Sequence, residues 1–385
     1  MDIRDLTVDD LDDVLDLRKR SFGYLSASDV ERWRQVTPPV LREGRYLGAF
    51  DGTRLAAAAR LRQFTQWWHG RPQPMAGVAG VTVSPEDRGR GVGTRIMRAV
   101  IDRAVALGDA VSALYPATTP VYRGLGYEHA GAQHNVRLPA EALRQIRPSG
   151  QVKLRRMGPA DAADVVALLH RVYAATRASG PVSYDERTWA LWLDDEDDFL
   201  YLADDGFLIY RWKGDDILVD TLVAGSGDTA RALWSVVGSA SSIAQHVIAP
   251  VAPDDPVLWM LRERGKEQVT QRRWMLRVLD VAAAIERRGY PAAVTCEAVV
   301  TVEDRVRGGD TWRLEFAGGS GAATPVGESA PGAPGVVLSA NGLAALYSGI
   351  PSATLRLAGL MSGDDRYDEG LDAVFAAKPY MLDYF

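Results

Sequence analysis

The sequence predicts an α/β (α+β) protein of mixed sheets, built as three consecutive units. Its 385 residues exceed what one hydrophobic core usually organises, at roughly 150 residues per domain. Strands rich in β-branched residues alternate with amphipathic helices, which implies mainly parallel or mixed sheets. The opening IRDLTVDDLDDVLDLRKRSF is restated after the linker Arg147–Gly150 as VKLRRMGPADAADVVALLHRVYAAT, a strand, a turn, an Asp and an amphipathic helix both times, which points to an internal repeat. The units are expected at residues 1–150, 151–280 and 281–385.

In the first unit the spacing predicts an acid-rich helix over Val8–Phe22, then strands at Tyr46–Phe50 and Arg54–Phe64. A strand containing Val81 and Val83 follows, then a helix starting near Thr94 and a strand over Val111–Tyr115. Ile96, Met97, Val100, Ile101 and Ala104 lie on one face of that helix and are core. The second unit carries strands at Phe199–Ala203, Phe207–Trp212 and Asp216–Val223, then an Ala-rich helix over Thr229–Ser239. Its AGSGDTARALW approach has no arginine ahead of the helix and reads as a turn with an Asp N-cap, so no phosphate site is expected there. Trp274–Pro291 is a strand entering a short helix that opens the third unit. Within that unit Ala317–Pro334, rich in Gly, Pro, Ala and Ser, is expected to be a mobile hairpin connection. LSANGLAALYSG is a helix with an Asn or Ser cap, and the chain closes on KPYMLDYF.

Composition narrows the function. A net charge of −6 leaves no basic footprint for nucleic acid and favours a cationic small substrate over an acidic one. No apolar run approaches the roughly 18 residues of a membrane span. A single cysteine excludes an internal disulfide and, with acids where a secretory leader would be basic, suggests a cytoplasmic protein. Five histidines without ligand spacing or cysteine partners predict no metal.

The stretch VTVSPEDRGRGVGTRIMRAV, Val81–Val100, is the informative one. A helix start offers unpaired N–H groups and a positive dipole end, and glycines before it allow close backbone approach, so the junction is an anion cradle. A P-loop needs a lysine that GRGVGT lacks, and Gly89, Gly91 and Gly93 are spaced GxGxG where a dinucleotide fold needs GxGxxG. Some 30 residues on, VYRGLGYEHAG holds Tyr122 and Tyr127 around Gly126. A phenol near pKa 10 keeps its proton at neutral pH and can yield it to a departing thiolate; the plain alternative is packing at a strand end. The terminus PYMLDYF is apolar and aromatic, which suits burial, and a buried end carries an ionised carboxylate inside; simple packing of a last strand is the alternative.

Arg88-x-x-Gly91-x-Gly93 after the Val81 strand resembles the acyl-CoA loop of the GNAT N-acetyltransferases, and Tyr122-x-x-x-Gly126-Tyr127 resembles that family's acid-bearing segment. Over the whole chain the pattern is similar to the Eis (enhanced intracellular survival) acetyltransferases: tandem GNAT-like domains, the first alone bearing the loop, then a sterol-carrier-protein-like domain and an aromatic terminus. The resemblance implies acetyl-CoA as co-substrate, gripped by Val81 and Val83 on the strand and by Arg88, Gly89, Arg90, Gly91, Gly93 and Thr94 in the loop. It implies Tyr122 as general acid and the α-carboxylate of Phe385 as general base. The acceptor amine, of aminoglycoside or polyamine kind, would be lined by Phe22, Trp33, the Arg60–Phe64 strand and Tyr115–Thr119; for Trp33, Trp67 and Trp68 loop packing is the other reading. A homo-oligomer, a hexamer, is also implied. Gly89 stands where the family often has a second arginine, so one phosphate contact is expected to be missing. A non-catalytic acyl-CoA or lipid-binding sensor is the alternative, motivated by the third domain.

Overall fold

The structure, a computed structural model, describes residues 1–148, 150–326 and 335–385. The first unit runs β1 (Asp2–Asp5), α1 (Leu11–Phe22), α2 (Ala27–Arg42), β2 (Tyr46–Asp51), β3 (Arg54–Trp68), β4 (Arg71–Val83), α3 (Val92–Ala106), β5 (Val111–Leu114), α4 (Thr119–Arg123), β6 (Glu128–Pro139) and α5 (Ala140–Arg144). The second runs β7 (Arg155–Arg156), α6 (Ala162–Ala175), β8 (Val182–Ser183), α7 (Glu186–Trp192), β9 (Phe199–Ala203), β10 (Gly206–Lys213), β11 (Asp216–Ala224), α8 (Gly227–Gly238), β12 (His246–Val251), α9 (Val257–Met260) and β13 (Gln268–Val278). The third runs α10 (Val281–Arg287), β14 (Cys296–Glu303), β15 (Asp310–Ala317), β16 (Ser320–Pro325), β17 (Val336–Ser339), α11 (Ala340–Tyr347), α12 (Ser352–Leu357), β18 (Met361–Gly363) and α13 (Asp368–Phe375). Among the described residues no helix is long and apolar enough to cross a membrane.

The first thirteen strands form one mixed sheet that passes from the first unit into the second without a break. Its order is β1-β2-β3-β4-β5-β13-β6-β12-β11-β10-β9-β7, with β8 set against β3. The two units exchange their last strands: β13 pairs β5, while β6 pairs β12, and β13 and β6 pair each other antiparallel at the centre. The strand expected to open the third unit at Trp274 begins at Gln268 and instead completes the shared sheet before the chain enters that unit. Trp274, Met275 and Leu276 are fully buried there, and burying each large apolar side chain favours this arrangement by about 1.5–3 kcal/mol.

Several sequence expectations change. A helix, α2, occupies residues 27–42 despite Pro38 and Pro39, with the Ser26 hydroxyl accepting the Asp29 amide at 3.1 Å, so Trp33 sits on a helix and not in a loop. Helix α3 begins at Val92, two residues ahead of Thr94, because Gly91 at φ +74° serves as its N-cap. Helix α8 is capped by Ser226, whose side chain accepts from Thr229, with Asp228 one place inside the first turn. Residues 317–325 are ordered as a hairpin, with Gly318 and Gly319 at positive φ turning β15 into β16. The rest of the expected mobile connection, 327–334, lies outside the described residues, as does Ser149 of the linker. The Ser339 side chain caps α11.

The third unit folds around its own five-stranded sheet, β16-β15-β14-β17-β18, and is locked to the large sheet by a buried arginine. Arg288 is fully buried. It donates to the carbonyls of Tyr347 and Phe375, and its guanidinium lies 5.1 Å from the Trp68 ring, 4.7 Å from Tyr347 and 5.0 Å from Phe375. Carbonyl oxygens and aromatic faces take the place of a carboxylate for this charge.

A second buried arginine explains a glycine. Arg277 on β13 reaches across to the Leu125 carbonyl and to Asp304, threading beneath Gly126 at φ +83°. A Cβ at Gly126 would lie 1.7 Å from the Arg277 Nη1. Gly126→Ala is therefore expected to combine left-handed strain of about 1–2 kcal/mol with displacement of Arg277. Its urea midpoint should fall by more than that strain alone, whereas Gly124→Ala, whose added Cβ meets nothing closer than 3.5 Å, should shift little.

Candidate active site

The site grows from the parting of β4 and β5. They pair in parallel only at Met75–Val111, Ala76–Ser112 and Gly77–Ala113. Beyond Gly77, β4 runs on to Val83 and pairs with β3 alone, across a register break at which Gly80 adopts φ +58°. Such a bulge bends a strand away from its neighbour, leaving the β5-facing edge of residues 78–83 open to hydrogen-bond an extended ligand arm. Val81 and Val83 are half-buried on this segment.

The loop after β4 ends in the cradle foreseen from sequence. Gly89 and Gly91 both have positive φ, and a Cβ at either would meet nothing within 4 Å. The first helical bond of α3 is from the Arg95 amide to the Gly91 carbonyl, so the amides of Gly91, Val92, Gly93 and Thr94, with that of Gly89, have no acceptor among the described residues. Unpaired amides at a helix start suit a phosphate group. Fully buried Asp87 shapes the loop: Arg54 approaches it at 2.8 Å and Arg90 at 2.7 Å. Arg90 thus braces the loop from inside it, and Arg88 is the exposed arginine without an ion-pair partner among the described residues.

Tyr122, on α4, packs in the same apolar cluster as Val92, Val78 and Leu114, with Val81 and Val83 against it. It is 7% exposed. Burial raises its pKa to about 12, and its hydroxyl has no hydrogen-bond partner among the described residues. Tyr127 lies 6.2 Å away ring to ring but is engaged: Ser112 donates to the Ala76 carbonyl at 2.9 Å, which leaves the Tyr127 hydroxyl to donate to Ser112 at 2.8 Å.

The chain end lies across the centre of the sheet. Tyr380 bridges Ala132, the Gln133 side-chain Nε2 donates to the Leu382 carbonyl at 2.6 Å, and the Tyr115 hydroxyl donates to the Asp383 carbonyl at 2.8 Å. The Phe385 ring stands 4.6 Å from Phe64 and 5.6 Å from Tyr115, and a Cβ on Gly77 would approach it to 3.0 Å. Gly77 belongs to the last β4–β5 pair, so the final residue sits where the two strands separate. Tyr115 thereby fixes the tail.

Two cavities flank this point. One, about 460 Å³, opens where β11 and β12 part beyond Leu218 and Ile248, the counterpart of the β4–β5 opening in the second unit. Asp195, Asp198, Asp220 and Asp383 line it, against Arg32 and Arg211. Burial pushes Asp198 up to about 6 and Asp383 up to about 7, the latter against the lowering influence of Tyr184 and Arg62. The other, about 440 Å³, is walled by α1, α2, β3 and α7 and includes Trp33, Arg60, Arg62 and Phe64. Tyr184, Trp192 and Arg32 belong to both. Phe22, 53% exposed, lines neither, and Trp67 and Trp68 are buried packing residues. Sequence reasoning missed the acids and Tyr184, since nothing in a second unit without a phosphate loop marks it as part of a site.

The chain matches acetyltransferase (GNAT) domains over residues 2–130 and 180–278 and a sterol carrier protein domain over 281–382. It is similar to a GCN5-related N-acetyltransferase from Kribbella flavida, at 45% identity and a TM-score of 0.95, covering 100% of this chain and 98% of that one. The N-acetyltransferase Eis of Mycobacterium tuberculosis is 26% identical over 96% of both chains. Eis1 from Mycobacterium abscessus shares the fold at a TM-score of 0.77 and 22% identity, over 100% of each chain.

Asp383 should leave a mark on stability. Its folded pKa, about 7, stands above the ordinary 3.8, so between these values the folded state holds a proton that the unfolded state has lost. Stability from this group therefore falls as pH rises from about 4 to 7. Asp383→Asn, which keeps the shape and stays neutral at every pH, should flatten that decline and exceed the parent in urea midpoint above pH 7. Parallel parent and variant profiles would mean that Asp383 is ionised throughout.

Proposed function

Because the chain belongs to the GCN5-related N-acetyltransferases of the Eis type, we propose that it transfers the acetyl group of acetyl-CoA to the amine of a cationic small molecule of polyamine or aminoglycoside kind. The observation that carries this reading is the seat of Phe385 beside Gly77, at the point where β4 and β5 separate. The open edge of β4 and the five free amides from Gly89 to Thr94 fit a pantetheine arm and its pyrophosphate, with Arg88 adding charge. Acetyl-CoA supplies the acyl group and leaves as its thiol.

The remaining work falls to this chain. The amine loses its proton to the α-carboxylate of Phe385, directly or through water, as nitrogen bonds to the acyl carbon. The carbon–sulfur bond breaks and Tyr122 gives its proton to sulfur. A phenol at about 12 holds that proton at neutral pH, and the burial that raises it also raises the basicity of a thiolate formed beside it. The acid-lined cavity favours a cationic acceptor. A sensor without turnover has no use for an unengaged tyrosine hydroxyl and a tethered chain end beside the separation of β4 and β5.

Thiol release from acetyl-CoA with a panel of polyamines and aminoglycosides tests the reading, with saturation expected in both substrates. Tyr122→Phe should lower kcat by about 10²- to 10⁴-fold with folding intact, while Tyr127→Phe, which removes only a structural hydroxyl, should lower it far less. Equal losses would put the acid elsewhere. Extending the C-terminus by two residues converts the terminal carboxylate to an amide and should abolish turnover where an N-terminal tag does not; a fully active extended enzyme would remove Phe385 from the mechanism.

A further inference from the structure

The cavity between α1, α2, β3 and α7 carries an excess of positive charge, five arginines against three acids. Arg18, Arg60, Arg62 and Arg187 line it, and none has an ion-pair partner among the described residues. Arg18, Arg60 and Arg62 are half-buried; Arg187 is exposed at the mouth. The acids of the same wall are used elsewhere: Asp29 accepts from the Ser26 hydroxyl at 2.6 Å, Asp185 caps α7 through the Thr188 amide at 2.7 Å, and Glu43 lies 3.8 Å from Arg45. Arg32, at the wall shared with the acidic cavity, is held by Asp195 at 3.1 Å.

Arg60 is the focus. It is packed so that burial, with repulsion from Arg62 and Arg18, lowers its pKa to about 10, and no carboxylate offsets the loss. Arg62 rests 5.1 Å from the Phe64 ring and 5.5 Å from Tyr184, which aims it along the wall towards the chain end, since Phe64 touches Phe385. Guanidinium groups withdrawn from water are ordinarily matched by carboxylate or phosphate. Here three converge on an open volume of about 440 Å³.

We propose that this cavity is an oxyanion subsite, and that the acceptor carries, besides its amine, a carboxylate or phosphate that Arg60, Arg62 and Arg18 bind. The proposal rests on the amine-acetyltransferase reading for the identity of the occupant, and not for the existence of the site. The two cavities then have complementary tasks: the acidic one takes ammonium groups and the arginine-lined one takes the oxyanion, with the reacting nitrogen held between them near Phe385. Polycations without an oxyanion fill only half of this surface.

Hexylamine, 6-aminohexanoate and 6-aminohexyl phosphate, compared as acceptors of the full chain, test the proposal. The better oxyanion-bearing amine should exceed hexylamine in kcat/KM by at least about tenfold, the order expected of one charge-assisted hydrogen bond, and the two oxyanions compared with each other identify which is used. In Arg60→Gln/Arg62→Gln that ratio should collapse towards unity, and Arg18→Gln alone should reduce it in part. Equal use of all three amines by the parent, or an unchanged ratio in a folded double variant, overturns the proposal. Calorimetric titration of the acetyl-CoA-free protein with hexanoate and hexyl phosphate keeps the site separate from the reaction. Binding that is lost in the double variant but kept in Arg88→Ala supports the oxyanion subsite even if no amine is acetylated, in which case only the amine reading fails. No binding overturns the subsite.

Discussion

The exchange of last strands at the centre of the large sheet is the constraint from which the rest follows. With β13 inserted between β5 and β6, neither of the first two units owns a complete sheet, and each holds the other's edge closed. A sheet edge left open is a liability, and here closure is mutual. Arg277 belongs to the exchanged strand, yet it ties the turn after Tyr122 to Asp304 of the third unit. One side chain thus connects the exchange, the candidate acid and the third domain.

The exchange also sets two openings face to face. In each unit a parallel pair, β4–β5 or β11–β12, separates at its C-terminal end, and the exchanged antiparallel strands lie between the two separations. In the first the following helix starts on Gly91 with its amides unpaired; in the second it starts on Ser226, whose side chain occupies the equivalent end of α8. A single residue type at the cap therefore distinguishes a helix end able to receive a phosphate from one already satisfied by its own chain. The tail crosses the middle and brings its last residue to the first opening and Asp383 to the second.

Much of this was legible from local chemistry. The Arg/Gly loop, Tyr122 ahead of Gly126 and the apolar terminus are short-range signals, and the structure gathers the loop and Tyr122 around the separation of β4 and β5. What was not legible depended on long-range partners. Helix α2 was not expected, and it continues through Pro38 and Pro39, residues that ordinarily end a helix. Strand β6 and the true neighbours of β13 could not be read because pairing across more than a hundred residues leaves no periodic trace. The resemblance marks the Arg60–Phe64 strand as part of the acceptor lining, but that Arg18, Arg60 and Arg62 gather at one cavity without an ion-pair partner among the described residues is a property of three dimensions.

The exchanged strands also carry a cost during synthesis. Strand β6 ends at Pro139, but both of its flanks wait for segments that end at Val251 and Val278. A ribosome delivering about 5–20 residues per second therefore leaves that strand without its full set of partners for about 7 to 28 seconds. The amino-terminal acetyltransferase module cannot finish folding while it is being made, and its maturation is tied to release of nearly the whole polypeptide. A nascent chain of this design depends on whatever shields open strands in the cell, and premature termination anywhere before β13 yields an adhesive fragment instead of a smaller enzyme.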